Sequence, residues 1–373
     1  MTKKNIPYGH QWIDANDIKE VVKVLKSDWL TQGPKVEEFE KAVSKYCGSK
    51  YAVAVSSGTS ALYLAYVVAG VKSGDEVITT PLTFAATANM ITFCGAKPVF
   101  ADVEEETLNI NPKEIEKKIS EKTKAIATVD FAGLPCDYKE IFEIAKKHNL
   151  LVIEDACHAL GAEYRGKKIG SFTDMTILSF HPVKHITTGE GGMILTNNKD
   201  FYEKLKILTS HGMVKIPEKG AWYYEIENPS FNFRLTDIQC ALGISQLKKI
   251  DKFLKRRREI VKIYGQAFKG IKNIVLPAEN DHAKSAWHIF PIQVKNLDRK
   301  KVFEDLRHLG IGVQVHYMPL SLQPFYKKKF GYKEGDFPVA EKYYERAITL
   351  PLFPKMTDSD IKKVIKTVSG IIK

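Results

Sequence analysis

Between residues 14 and about 210 the chain alternates short apolar runs with stretches whose apolar residues recur every three or four positions. The first stretch, 14–27, sets Ile18, Val21, Val22 and Leu25 on one helix face, with Asp14 as the candidate cap. Short apolar runs at 51–55, 76–79, 98–101, 125–129, 150–154, 176–180 and 192–196 predict strands. Helical spacing fills most of the gaps between them, as at 59–69 and 138–148. Strand and helix in alternation build βαβ units. The pattern therefore predicts an α/β fold with a large, mostly parallel sheet clothed by helices on both faces. Gly74-Asp75 and Pro135-Cys136-Asp137 mark turns between elements.

A helical pattern over 236–268 closes this region, and the texture changes after it. Strand-like runs at 286–294 and 311–316 mix with helical spacing at 299–309, 338–348 and 358–372. The expected organisation is a large domain over 1–250 and a smaller α+β C-terminal domain over 251–373, with the boundary near 245–270.

Composition narrows the class. At 373 residues, 44% hydrophobic and 27% charged, the chain has the makeup of a globular protein with a substantial core. Its five cysteines (Cys47, Cys94, Cys136, Cys157, Cys240) include no CxxC pair, which argues against a disulfide framework or zinc ribbon and suits a reducing compartment. The longest apolar stretch, 61–71, is too short to span a bilayer, and no secretory core follows the lysines of MTKKNIPYGH. A soluble, cytoplasmic protein is expected, without membrane partners.

The charge balance, 56 Lys+Arg against 44 Asp+Glu, gives a formal +12. Two dense basic runs stand out, at 255–258 and 327–329. The first shares a helical pattern with Leu247, Ile250, Phe253, Leu254, Val261 and Tyr264, which predicts that its charges occupy the opposite, solvated face. No recognition-helix motif accompanies them, so nucleic acid is not an expected partner. A diffuse positive excess instead favours anionic ligands by long-range steering.

In doubly wound sheets, ligands sit beyond the carboxyl ends of the strands, so the loops there carry the chemistry. Ser56-Ser57-Gly58-Thr59-Ser60 follows the first strand and opens a helix, a natural anion site, although Ser and Thr also serve there as plain caps. Glu154-Asp155-Ala156-Cys157-His158 ends the apolar run 150–153. A carboxylate at that point needs a partner, either a cap or ion pair, or a ring nitrogen it keeps protonated. The third loop, 179–192, holds Lys184 among Ser, His, Thr, Pro and Gly. Most lysines are solvated, but a desolvated amine in such a turn can form a Schiff base. Phosphate cradle, ring-nitrogen acid and imine-forming lysine, in that order on one sheet, are the requirements of pyridoxal 5′-phosphate.

The motifs SSGTSAL, PLTFAATANM, VIEDACHALGA, SFHPVKHITTGEGG, SHGM, NFRLTDIQCALGISQLKK and VQVHYMP cover most of the chain. Together they resemble the DegT/DnrJ/EryC1 family of nucleotide-sugar aminotransferases, which belong to the fold-type I (aspartate aminotransferase-like) pyridoxal-phosphate enzymes. The resemblance implies that Lys184 carries the coenzyme and shuttles the proton, that Asp155 pairs with the pyridinium nitrogen, and that His158 contacts the ring hydroxyl. It implies Phe84 over the ring face, where the plain alternative is core packing, and Gly58, Thr59 and Ser179 at the phosphate. Asn232 would complete the phosphate site of a neighbouring subunit in a homodimer. Arg234, His316 and Tyr317 take the positions of substrate contacts, while His181 and His185 flank the lysine.

The implied reaction moves the amino group of L-glutamate to the 4-keto carbon of a nucleotide-linked 4-keto-6-deoxy sugar, UDP-linked, within surface-polysaccharide (pseudaminic acid) biosynthesis. Amination at C3 or sugar dehydration, which relatives with histidine in place of the lysine perform, is the alternative within the family.

Overall fold

Seven of the apolar runs pair into one sheet of β1 (Tyr51–Val55), β2 (Glu76–Thr79), β3 (Lys97–Phe100), β4 (Thr123–Val129), β5 (Leu151–Asp155), β6 (Met175–Ser179) and β7 (Gly192–Thr196). The structure is a computed structural model and describes residues 5–373. The strand order is β1-β7-β6-β5-β4-β2-β3. From β3 to β6 neighbouring strands are parallel, whereas β7 runs antiparallel to both β6 and β1. The expected strands thus lie within about two residues of the observed ones, in a sheet that is mostly parallel.

The helices explain why the strands read as unbroken apolar runs. α1 (Ala15–Leu25) precedes α2 (Pro34–Cys47), whose Phe39 and Val43 pack on one face of the sheet, whereas α3 (Gly58–Val68) lies on the opposite face and is buried almost all round its circumference. Ala61, Leu64, Ala65 and Tyr66 of α3 pack with Val53, Ile153, Ile177 and Ile194 of the strands. α4 (Ala85–Phe93) lies beside α3 on that face through Ile91, and α5 (Tyr138–His148) packs on the α2 face through Tyr138, Ile141 and Ala145.

The pattern over 236–268 is two helices, α6 (Asp237–Leu247) and α7 (Ile250–Phe268). The break falls at Lys248-Lys249, where the Lys249 ammonium turns to Asp14 (2.9 Å) and the buried Asp17 (2.5 Å). Asp17 also accepts hydrogen bonds from Ser245 (2.6 Å) and Gln246 (2.8 Å), which clamps α1 against α6. Arg257 corrects the expectation for the first basic run. It is 1% exposed, and its guanidinium donates to the carbonyls of Trp287, His288 and Leu352. Lys255 and the lysines at 327–329 are exposed as expected.

After α7 a small antiparallel sheet forms from β8 (Ile274–Val275), β9 (Phe290–Val294) and β10 (Ala347–Leu350). It is covered by α7, α8 (Arg299–His308) and α10 (Asp358–Ile371), whose Ile260, Tyr264, Leu306, Val364 and Val368 build a separate core with Ile292 and Ile348. Between them α9 (Pro338–Arg346) leads directly into β10. The expected strand at 311–316 is not one. Ile311 and Gln314 make single bridges, to Ile6 and Thr349, and Gly312 lies so close to the incoming N-terminal segment that a Cβ would be 2.8 Å from the Ile6 carbonyl oxygen. Likewise 286–289 stays outside β9, with Trp287 at φ +49°.

The sheet register prepares the site. Gly192, which begins β7, pairs with Ser179 on one side and Val55 on the other. The carboxyl ends of β1, β5 and β6 therefore emerge along one edge. A Cβ at Gly192 would lie 2.4 Å from the Ser57 carbonyl, so only glycine lets the first loop cross so near the strand. Among the described residues no helix is long and apolar enough to cross a membrane.

Candidate active site

The loops that leave β1, β5 and β6 enclose a cavity of about 420 Å³. Gly58, Thr59, Phe84, Asp155, His158, Ser179, Lys184, His316 and Tyr317 all line it. Of the residues singled out from the sequence, Asn232 and Arg234 do not. Asn232 is exposed, and its Oδ1 accepts the Arg234 N–H at 3.2 Å. Arg234 donates to Ser210 Oγ (2.6 Å) and lines a separate cavity of about 280 Å³ beside Glu40 and Lys206. Within one chain neither side chain reaches the cavity that holds Lys184.

One wall is a helix start. Gly58 and Thr59 are the first residues of α3, so their N–H groups have no carbonyl a turn earlier to bond. Ser57 caps the helix by accepting the Ser60 N–H at 3.0 Å. A side chain at 58 would stand 3.1 Å from Ser179 Cβ and 3.2 Å from Cys157 Sγ. Gly58 is what allows the three loops to meet, and the dipole of an 11-residue helix points its positive end at their junction.

Asp155 ends β5 and is 7% exposed. Thr87 of α4 donates to Oδ2 at 2.7 Å, and the Cys157 N–H donates to Oδ1 at 3.2 Å. Thr87 is itself held by Thr83 (2.9 Å), so the carboxylate has a fixed direction. Its neighbour Glu154 faces the other side of the sheet, as alternation along a strand requires, and takes hydrogen bonds from Thr173 and Thr176. There it packs near Asp130. Burial and the mutual proximity of the two carboxyls raise the pKa of Asp130, and burial raises that of Glu154.

Lys184 sits in a turn closed by its own N–H donating to the His181 carbonyl (2.9 Å). Burial lowers the pKa of its amine below that of a free lysine, and the nearby Cys157 and Asp155 offset part of that effect. His181, which also lines the cavity, is exposed, whereas His185 is buried and bonds the Ala286 carbonyl through Nε2 (3.0 Å). His158 Nε2 lies 3.2 Å from the Tyr317 hydroxyl, which joins the loop after β5 to the segment after 311. His316 Nδ1 bonds Thr349 Oγ1 at 2.9 Å. Phe84 is 61% exposed and stands 6.2 Å, ring to ring, from Tyr317.

Sequence reasoning missed Tyr8, His288 and Thr87. Tyr8 reaches the cavity only because the N-terminal segment docks on the far C-terminal part of the chain. His288 precedes an apolar strand and reads as core. Thr87 lies three residues after Phe84 in one of the quoted motifs, and that helical spacing was a usable signal.

The donor set fits pyridoxal 5′-phosphate group by group. Free helix N–H groups and a hydroxyl suit a phosphate, a fixed carboxylate suits a protonated ring nitrogen, and a desolvated amine suits an aldehyde. His158 Nδ1, buried and without a partner, is a further polar atom at the cavity wall.

Four imidazoles surround this site, and burial lowers the pKa of each: His158, His185 and His288 well below the ordinary value of 6.5, His316 to about 4. Between those values the folded chain binds fewer protons than the unfolded one, so stability falls as pH drops from 6.5 towards 4. Each imidazole contributes a slope of up to about 1.4 kcal/mol per pH unit. The raised carboxyls Asp130 and Glu154 act in the opposite sense, so the test is a difference. Urea unfolding at several pH values should show His316→Asn losing less stability than the wild type over that window. Parallel curves would contradict the assignment.

Residues 11–369 match the model of the DegT/DnrJ/EryC1/StrS aminotransferase family. The chain is 43% identical to the UDP-4-amino-4,6-dideoxy-N-acetyl-beta-L-altrosamine transaminase of Campylobacter jejuni, over 99% of its own length and 98% of the relative's. It superposes on Helicobacter pylori PseC, an aminotransferase involved in the biosynthesis of pseudoaminic acid, with a TM-score of 0.94, 36% identity and 99% of each chain covered. The PLP form of the Streptococcus pneumoniae sugar aminotransferase Spr1654 superposes with a TM-score of 0.93 at 34% identity, covering 98% of each chain. The large mixed sheet is accordingly that of a fold-type I enzyme. With the match extending across nearly every element described above, the chain belongs to the DegT/DnrJ/EryC1/StrS aminotransferase family.

Proposed function

We propose that this protein moves the amino group of L-glutamate to the 4-keto carbon of a UDP-linked 4-keto-6-deoxy sugar, releasing 2-oxoglutarate and a 4-amino sugar. The observation that carries this reading is the Lys184 amine, desolvated and lining the same cavity as Asp155 and the start of α3. The name of the Campylobacter relative supports the nucleotide and the C4 position. The pathway of the Helicobacter neighbour supports a role in making surface polysaccharide, the pseudaminic acid class included. Five unpaired cysteines suit a cytoplasmic setting.

Pyridoxal 5′-phosphate, bound at this site, supplies an electron sink for the pair left when a proton departs from an amine-bearing carbon. Gly58, Thr59 and Ser179 would hold its phosphate, Asp155 its ring nitrogen and His158 its ring hydroxyl, with Phe84 against a ring face. Lys184 Nζ, neutral more readily than a free lysine because burial lowers its pKa, takes the proton from Cα of glutamate. Running in the opposite sense, the same amine delivers a proton to C4 of the sugar. Asp155 keeps its charge aimed at the ring because Thr87 and the Cys157 N–H fix both oxygens. His316 and Tyr317 bound the side of the cavity the sugar enters. The basic excess of the chain draws in the diphosphate.

Two subunits share the sites in this reading. Asn232 and Arg234 serve the partner's cavity, which accounts for their separation from Lys184 of the same chain. Ile18, Leu25, Trp29, Trp222 and Phe231 are large apolar side chains left exposed on a single chain, and a second copy would cover them.

Incubation with L-glutamate and a panel of 4-keto and 3-keto sugars linked to UDP, dTDP or GDP tests the reaction, with products identified by mass and NMR. The expected product is a UDP-linked 4-amino sugar formed with stoichiometric 2-oxoglutarate. Amination at C3, loss of water from the sugar, or no sugar product at all would overturn the proposal. Subunit mixing tests the shared site. Lys184→Ala and Asn232→Ala proteins, each inactive alone, should regain about a quarter of wild-type activity after random reassociation, since half the dimers then hold one intact site of two. No recovery would mean that each chain builds its site alone.

A further inference from the structure

His288 ends a segment whose backbone is held in an unusual shape. Trp287 takes φ +49°, a left-handed conformation that strains a bulky residue. The N–H groups of Ala286 and His288 donate to the carbonyls of Gly133 and Ala132, both at 2.9 Å. Ser285 Oγ accepts the Trp287 N–H at 3.0 Å. Arg257 donates to the carbonyls of Trp287 (3.2 Å) and His288 (3.0 Å) from inside the C-terminal core. Gly133 completes the clamp, since a Cβ there would lie 2.8 Å from the Trp287 nitrogen and 2.7 Å from the His158 carbonyl oxygen. A fully buried guanidinium and a strained backbone are thus committed to fixing one short segment.

What that segment offers the cavity is the His288 ring. It is 5% exposed and its centroid lies 4.3 Å from that of His158 and 5.6 Å from that of His185. The Nδ1 atoms of all three rings are buried without a hydrogen-bond partner. An unpaired buried nitrogen is destabilising, so an apolar ring at 288 would give a more stable chain. Polar groups kept at such a cost mark function rather than packing. His288 and His158 both line the cavity that holds Lys184, so their contact lies at the wall where the coenzyme would sit. Burial, and then the neighbouring Lys184, His158, His185 and Arg257, lower the pKa of the His288 ring well below the ordinary value.

We propose that His288 is a positioning residue, whose imidazole sets the plane of His158 and so the direction in which His158 meets the ring hydroxyl of the coenzyme. This rests on the reading of His158 given above. A role through bulk alone would be filled by phenylalanine, whereas a role through the ring nitrogens would be filled in part by glutamine.

Three measurements on the coenzyme-loaded protein separate these: the unfolding temperature, the pH midpoint of the visible coenzyme band, and the rate of the glutamate half-reaction. His288→Phe should unfold at the wild-type temperature or higher, shift the midpoint, and slow the half-reaction about tenfold or more. His288→Gln should recover most of the rate. A Phe variant equal to wild type in midpoint and rate, or a Gln variant no faster than Phe, would overturn the proposal. Should the Phe ring prevent folding, His288→Leu makes the same comparison with less bulk. A wild-type protein that shows no visible band with the coenzyme would defeat the reading of the site itself. A normal wild type beside an unchanged Phe variant defeats only the role of His288.

Discussion

An amine takes up protons near neutral pH only if water is kept from its charged form, and a carboxylate beside it stays useful only if its own oxygens are tied. The cavity of this protein meets both demands at once. Burial lowers the pKa of Lys184, while Asp155 is held by a threonine hydroxyl and a backbone N–H rather than by the lysine itself. An ion pair between the two would have quenched both, so their separate anchoring is the condition on which the rest of the site depends.

That condition is met by the sheet. β7 is antiparallel to both neighbours, which places β1 and β6 side by side in direction with one strand between them. Their ends then converge on Gly58 and Gly192, where no side chain would fit without displacing backbone or sulfur. The C-terminal part contributes from across the cavity, through Tyr317 bonded to His158 and through the segment carrying His288. Because Arg257 fixes that segment from within the small core, packing far from the chemistry reaches the coenzyme wall through a few hydrogen bonds.

The strands of the large sheet and the loops at 56–60, 154–159 and 179–192 were legible because local pattern determines them: β-rich runs end in small polar residues, and the helices between repeat regularly. What escaped depends on segments distant in sequence. Arg257 stands four residues after Phe253 and three before Ile260, on the apolar face, yet its charge suggested the solvated one. The carbonyls that receive it are about 30 and 95 residues away. The break between α6 and α7 likewise follows from Lys249 reaching Asp14 and Asp17, and the lost strand at 311–316 from the N-terminal segment lying across Gly312. Asn232 and Arg234, drawn from the NFRL motif, lie outside the cavity of Lys184 within one chain, a placement that depends on how the segment after 208 folds back rather than on the motif itself.

The account is tested most directly by trapping. Protein incubated with pyridoxal 5′-phosphate, reduced with borohydride and digested should yield one peptide carrying the coenzyme's added mass, on Lys184, with none from Lys184→Arg. Stable attachment at a different lysine, or no attachment to the folded wild type, would contradict it.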